Sequence, residues 1–135
     1  MTLRRKSREC ALQMLFQWNM NRLTPSRIEA SYWKSARGAE STRRFANQLF
    51  EGAAAQAEST DKLIVELSKN WRLERMPEID RSILRLAIYE LRSGTAPVNV
   101  VIDEALELAK KFSTAESAPF LNGILDAASK SLEKA

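Results

Sequence analysis

The chain has 135 residues with 44% hydrophobic content, which is enough for one buried core and too little for two ordinary domains. It contains no His and one Cys, Cys10, so a Ser-His-Asp triad, a Cys-His pair, a Cys/His zinc site and an internal disulfide are excluded. The net charge of +4 is too small to indicate a nucleic-acid partner by itself.

Helices are predicted along most of the chain, because Gly and Val are scarce and apolar residues recur at helical spacing. The first helix is predicted over roughly 9–21. A second, short helix begins at Pro25 after the cap Thr24 and ends by Gly38.

The region 41–71 predicts either two helices or one bent helix. Caps are available at 41–42 for the first stretch and at 59–60 for a restart or bend that leads to Trp71. The small residues at 52–55 would permit close approach by a neighbouring helix.

The next segment opens with Pro77, Glu78 and Asp80, and its residues are apolar on most sides. Its narrow polar stripe consists of Arg81, Arg85 and Arg92. A helix of this kind belongs at the centre of a bundle.

Two more helices follow, one opening at Pro97 and one near Ser117 and Pro119. The residues of the first that should face inward are Val98, Val101, Ile102, Ala105, Ala109 and Phe112. The sequence therefore predicts six or seven helices with short connections, an all-α single domain over 1–135.

No catalytic constellation is present in this sequence. Asp103, Glu104 and Glu107 share a helix face and suggest a Mg²⁺ site, but acids near a helix N-terminus are more simply read as a solvated face. The glycines lie too far apart for a phosphate loop. We therefore expect no metal, no cofactor and no enzymatic activity.

The strongest functional signal is a basic cluster in the first ten residues, formed by Arg4, Arg5, Lys6 and Arg8. Arg4 and Arg8 fall on the apolar arc of the first helix and cannot both be buried with it. The helix therefore begins after them or projects its first turn past the core. The cluster binds phosphates, or it is only a solubilising tail.

Two aromatic residues lie at the margins of apolar stripes, Phe16 in the first helix and Phe120 in the last. An aromatic side chain at a core edge can stack on an unpaired base, although most such residues simply pack.

Four runs of sequence resemble, in order and over nearly the whole chain, the NusB family of bacterial transcription antitermination factors. They are RRKSRECALQMLFQW at 4–18, IDRSILRLAIYELRSG at 79–94, VVIDEALELAKKF at 100–112 and FLNGILDAA at 120–128. The region 20–60 is the least similar.

The resemblance implies an all-helical fold of two packed halves that binds single-stranded box A RNA of nascent ribosomal RNA transcripts. It implies NusE, a small-subunit ribosomal protein, and the RNA polymerase antitermination complex as partners, and it leaves a homodimer open. A cytoplasmic protein without a membrane segment is expected, since nothing approaches 18 consecutive apolar residues.

The resemblance also implies which residues contact RNA, namely the basic N-terminus, the two aromatic positions and an acid that opens the central helix. They correspond to Arg4, Arg5, Lys6, Arg8, Phe16, Asp80 and Phe120. The family often has Tyr at the position of Phe16, and Pro119 stands where a polar residue is expected.

Two alternatives remain from sequence. One is a helical protein-interaction adaptor with an incidental basic tail. The other is the accessory RNA-binding module of a ribosomal-RNA cytosine methyltransferase, because a similar helical domain precedes the catalytic part of some of these enzymes.

Overall fold

A computed structural model describes residues 2–68 and 75–133, and in these ranges it contains seven α-helices and no strand. The helices are α1 (Leu3–Asn21), α2 (Pro25–Ser35), α3 (Glu40–Ala55), α4 (Ala57–Leu67), α5 (Glu78–Ser93), α6 (Val98–Phe112) and α7 (Ser117–Glu133). The all-α prediction is confirmed. None of the described helices is long and apolar enough to cross a membrane. The predicted inward residue Trp71 lies outside the described residues.

Helix α1 begins at Leu3, earlier than the predicted start at 9. The Thr2 hydroxyl caps it by accepting a hydrogen bond from the backbone N–H of Arg5 at 3.2 Å. The basic cluster is therefore part of a helix and not a flexible tail. Helix α1 packs most extensively against α3.

The region between α3 and α5 differs from the prediction in its boundaries. Helix α3 begins at Glu40 with Ala39 as its cap, and the acid in its first turn suits the helix dipole. The chain bends at Gln56, not at 59–60, so α3 and α4 are two helices. Thr60 is buried inside α4, where it accepts a hydrogen bond of 2.7 Å from Arg92 of α5 instead of capping a helix.

Helix α5 is the central helix, as predicted, and it contacts α1, α3, α4, α6 and α7. Ile83 and Leu84 are completely buried. The polar stripe is also largely withdrawn from solvent, because Arg85 donates to Asp61 of α4 at 2.6 and 2.9 Å and to Asn19 of α1 at 3.0 Å. The stripe therefore ties two neighbouring helices to α5.

Helices α6 and α7 cover another side of α5. Val101, Ala105 and Ala109 of α6 are buried as predicted. The prediction for Val98 is wrong, since it is 43% exposed as the first residue of α6. The buried apolar residues of α7 are Leu121, Ile124, Leu125 and Ala128.

Gly52 of α3 lies directly against Tyr89 of α5. A Cβ atom there would lie 2.1 Å from Cζ of Tyr89, so the tyrosine ring occupies the space of the missing side chain. This fits the predicted role of the small residues at 52–55.

We expect Gly52→Ala to lower the free energy of unfolding by about 1–3 kcal/mol, because the Tyr89 ring must leave its position. Gly123→Ala is the matched control, since Gly123 lies in α7 with nothing within 4 Å of the added Cβ. That substitution should raise the free energy of unfolding by up to about 1 kcal/mol. Chemical denaturation measures both, and equal stability of the two variants would show that the ring moves without cost.

Glu29 of α2 and Glu51 of α3 form a carboxyl pair. Burial first, and then the hydrogen bond with Glu51 and its charge, raise the pKa of Glu29 to about 8. Its Oε2 atom is buried without a hydrogen-bond partner among the described residues. The pair therefore favours a protonated Glu29 in the folded protein.

The pKa of Glu29 is higher in the folded protein, about 8, than in the unfolded chain, about 4. The free energy of unfolding should therefore decline as the pH rises from about 4 towards 8. We expect Glu29→Gln to raise the melting temperature at pH 9 and to have little effect at pH 5. Glu116→Gln, at an exposed acid, is the control. A Glu29→Gln effect that is the same at both pH values would contradict the shifted pKa.

Candidate nucleic-acid interface

Arg5 lies in the first turn of α1 and pairs with Glu104 of α6. Its Nη2 lies 2.7 Å from Glu104 Oε2 and its Nε 3.2 Å from Oε1. The hydrogen bond from Arg5 lowers the pKa of Glu104. The guanidinium remains accessible, because the Arg5 side chain is 47% exposed.

Arg8 is placed differently from the prediction of a surface cation. It is only 4% exposed, and its guanidinium donates two hydrogen bonds, of 2.9 and 3.0 Å, to Glu90 of α5. Thr95 donates a further bond of 2.9 Å to Glu90. Its position on the apolar arc carries Arg8 inward, and Glu90, which the sequence analysis missed, compensates its charge.

Arg4 and Lys6 are exposed. The Arg4 guanidinium lies 4.5 Å from the ring centroid of Phe45 on α3, a cation–π contact. Within the described part of the chain, neither residue has a carboxylate partner. These two cations of the predicted cluster are therefore the ones most available to a phosphate.

A cleft of about 340 Å³, lined mostly by charged residues, lies between the start of α1 and α6. At this cleft, Lys111 Nζ of α6 donates hydrogen bonds of 2.9 and 3.0 Å to the two carboxylate oxygens of Glu9 in α1. Lys110 Nζ lies 3.5 Å from Oε1 of Glu107. Neither lysine was predicted from sequence as a site residue. The helical spacing could have indicated Lys111, because Glu104 and Lys111 are seven residues apart and share a helix face.

An apolar groove adjoins this cleft. It is lined by Phe16, which is 37% exposed, by Phe112 of α6 and by Ile79 at the start of α5. Lys111 Nζ lies 5.6 Å from the ring centroid of Phe112. Phe16 and Phe112 thus line the same groove, with Lys111 over the Phe112 ring, and Phe112 was predicted from sequence only as a core residue.

Asp80 is not a surface residue. It is 2% exposed, and its carboxylate accepts hydrogen bonds from Ser113 at 2.5 Å and from Ser117 at 2.8 Å. It therefore links the start of α5 to the start of α7 and is withdrawn from solvent. Phe120, in the first turn of α7, is half-buried and packs against the core.

The described residues contain no group of three or more His, Cys, Asp or Glu side chains that could hold a metal ion. Of the three acids considered from sequence, Glu104 and Glu107 are engaged in ion pairs and Asp103 is exposed. Asp103 and Glu107 fit the solvated-face interpretation, whereas Glu104 is only 15% exposed and faces Arg5 and Arg8.

The chain matches the model of the NusB family over residues 5–130. A relative called transcription antitermination protein NusB, from Koribacter versatilis, is 44% identical over 132 residues, which cover 96% of this chain and 90% of the relative. The protein of the same name from Thermoanaerobacter pseudethanolicus is 43% identical over 124 residues, covering 92% and 88%.

Solved structures agree with this similarity. T. maritima NusB superposes with a TM-score of 0.85 at 33% identity, covering 96% of this chain and 92% of that one. A crystal structure of the antitermination factors NusB and NusE in complex with dsRNA gives a TM-score of 0.83, covering 97% and 98%. Its identity of 24% limits that likeness to the fold.

Proposed function

This chain belongs to the NusB family, and we propose that it is a non-enzymatic transcription antitermination factor that binds the box A element of nascent ribosomal RNA. The family match over residues 5–130 carries the proposal. We further propose that 1–135 acts as one RNA-binding domain in the cytoplasm.

The geometry supports single-stranded RNA as the ligand. Arg4 and Lys6 are exposed cations at the start of α1, Lys111 lines the cleft between α1 and α6, and Phe16 and Phe112 line the groove. Phosphates supply affinity through the cations, whereas aromatic rings at a groove need unpaired bases to stack on. Sequence preference would come from base edges and stacking.

NusE and the RNA polymerase antitermination complex are the proposed partners. A structural neighbour of the same fold contains NusB with NusE and dsRNA. A second protein beside the groove would extend the RNA-binding surface, so the two proteins together would bind RNA more tightly than either alone.

Titration of box A RNA and a scrambled single strand, each with and without NusE, tests the proposal. Tighter binding of box A than of the scrambled strand, strengthened by NusE, is the expected result. Equal, salt-insensitive binding of both RNAs would favour the protein-interaction adaptor.

We expect Phe16→Ala to weaken box A binding by about 1–3 kcal/mol without changing the slope of log K against log salt, because stacking releases no counterions. The double variant Arg4→Gln/Lys6→Gln should weaken binding to every single strand and flatten that slope by about 1.4 units, at roughly 0.7 per phosphate contact. Leu23→Ala, at a similarly exposed apolar residue of 39%, is the control. Unchanged affinity of both test variants would reject this surface.

A further inference from the structure

One carboxylate, that of Glu104, faces two arginines of α1. It holds Arg5 through two hydrogen bonds and lies 3.6 Å from Nη1 of Arg8. The two arginines differ in solvent exposure, because Arg8 is buried against Glu90 whereas Arg5 is about half exposed at the rim of the cleft. Glu104 therefore accepts hydrogen bonds from Nε and Nη2 of a cation that solvent, or a ligand, can reach.

A phosphate group would use the same donors. The Nε and Nη2 groups of Arg5 that bind the two oxygens of Glu104 form the fork that arginine presents to carboxylates and phosphates alike. Both anions cannot hold this fork in the same geometry. Phosphate binding through this fork must therefore displace Glu104, whereas binding through the Nη1 edge places the phosphate beside the negative charge of Glu104.

We propose that Glu104 competes with RNA phosphate for Arg5 and so limits the affinity of the N-terminal basic cluster. This inference rests on the proposed function. Arg4 and Lys6, which lack a carboxylate partner among the described residues, attract the RNA first. Arg5 offers its Nε and Nη2 fork to phosphate only when the RNA displaces Glu104.

The neighbouring acid Asp103 provides a matched control. It lies on the same helix and is exposed, and it forms no ion pair within the described ranges. Glu104→Gln and Asp103→Asn therefore change the net charge equally, one residue apart, but only Glu104→Gln releases Arg5.

The experiment measures binding of a single-stranded box A RNA to the full chain at several salt concentrations. Exposed ion pairs contribute modestly, so Glu104→Gln should tighten binding by roughly two- to fivefold. One additional neutralised phosphate should steepen the salt slope by about 0.7 units. Asp103→Asn should change affinity less than twofold, since its exposed charge is screened. In an Arg5→Gln background, Glu104→Gln should have no effect.

The other outcomes overturn the inference in distinguishable ways. Equal effects of Glu104→Gln and Asp103→Asn would mean that the acid acts only through long-range charge. Weaker binding by Glu104→Gln, with an unchanged melting temperature, would mean that Glu104 orients Arg5 for RNA instead of competing for it. Absence of single-strand binding by the unmodified protein would reject the proposed function itself.

Discussion

Replacing Ile83 with aspartate is expected to unfold the protein. Ile83 is completely buried on α5, the helix that contacts five of the other described helices. An unpaired buried carboxylate costs several kcal/mol, which is comparable to the whole stability of a small domain. Circular dichroism and thermal melting would show lost helicity at room temperature or a collapse of the melting temperature.

Val100→Asp provides the matched control, because Val100 of α6 is 38% exposed and receives the same new charge. We expect that variant to melt within a few degrees of the unmodified protein. An Ile83→Asp variant that also melted within a few degrees would show that α5 is not the centre of the core.

Local sequence signals predicted the helices because their causes are local. Pro77 and Gly94 bracket α5 as its cap and its left-handed end, and apolar spacing alone identified it as the central helix. The predicted position of the bend, at 59–60, was wrong because Ser59 and Thr60 resemble helix caps in sequence. Thr60 instead accepts a hydrogen bond from Arg92 of α5, a contact that only the fold creates.

The candidate site was harder to predict, because its important contacts join distant parts of the chain. Arg5 and Glu104 are 99 positions apart, and Arg8 and Glu90 are 82 apart. In the sequence, four clustered cations suggest a free phosphate-binding surface. The structure shows that two of them, Arg5 and Arg8, pair with these carboxylates. The burial of Asp80 could not be predicted for the same reason, since its hydrogen-bond donors Ser113 and Ser117 lie more than 30 positions away in the chain.

The burial of Arg8 leads to the second large expected effect. Replacing Arg8 with methionine should lower the free energy of unfolding by about 3–5 kcal/mol, because it leaves the carboxylate of Glu90 buried without its guanidinium partner. Thr95 would remain as a single hydrogen-bond donor to that carboxylate. Chemical denaturation of the variant and the unmodified protein measures the difference.

The double variant Arg8→Met/Glu90→Leu separates a structural role from RNA binding. Replacing both charges with apolar side chains should recover most of the lost stability, since a buried pair is often no more stable than well-packed apolar residues of similar volume. If Arg8 acts only within the fold, the double variant should bind single-stranded RNA with an unchanged salt slope. If Arg8 reaches a phosphate, that slope should fall by about 0.7 units, and the position predicted for Arg8 from sequence would be correct for the RNA-bound protein.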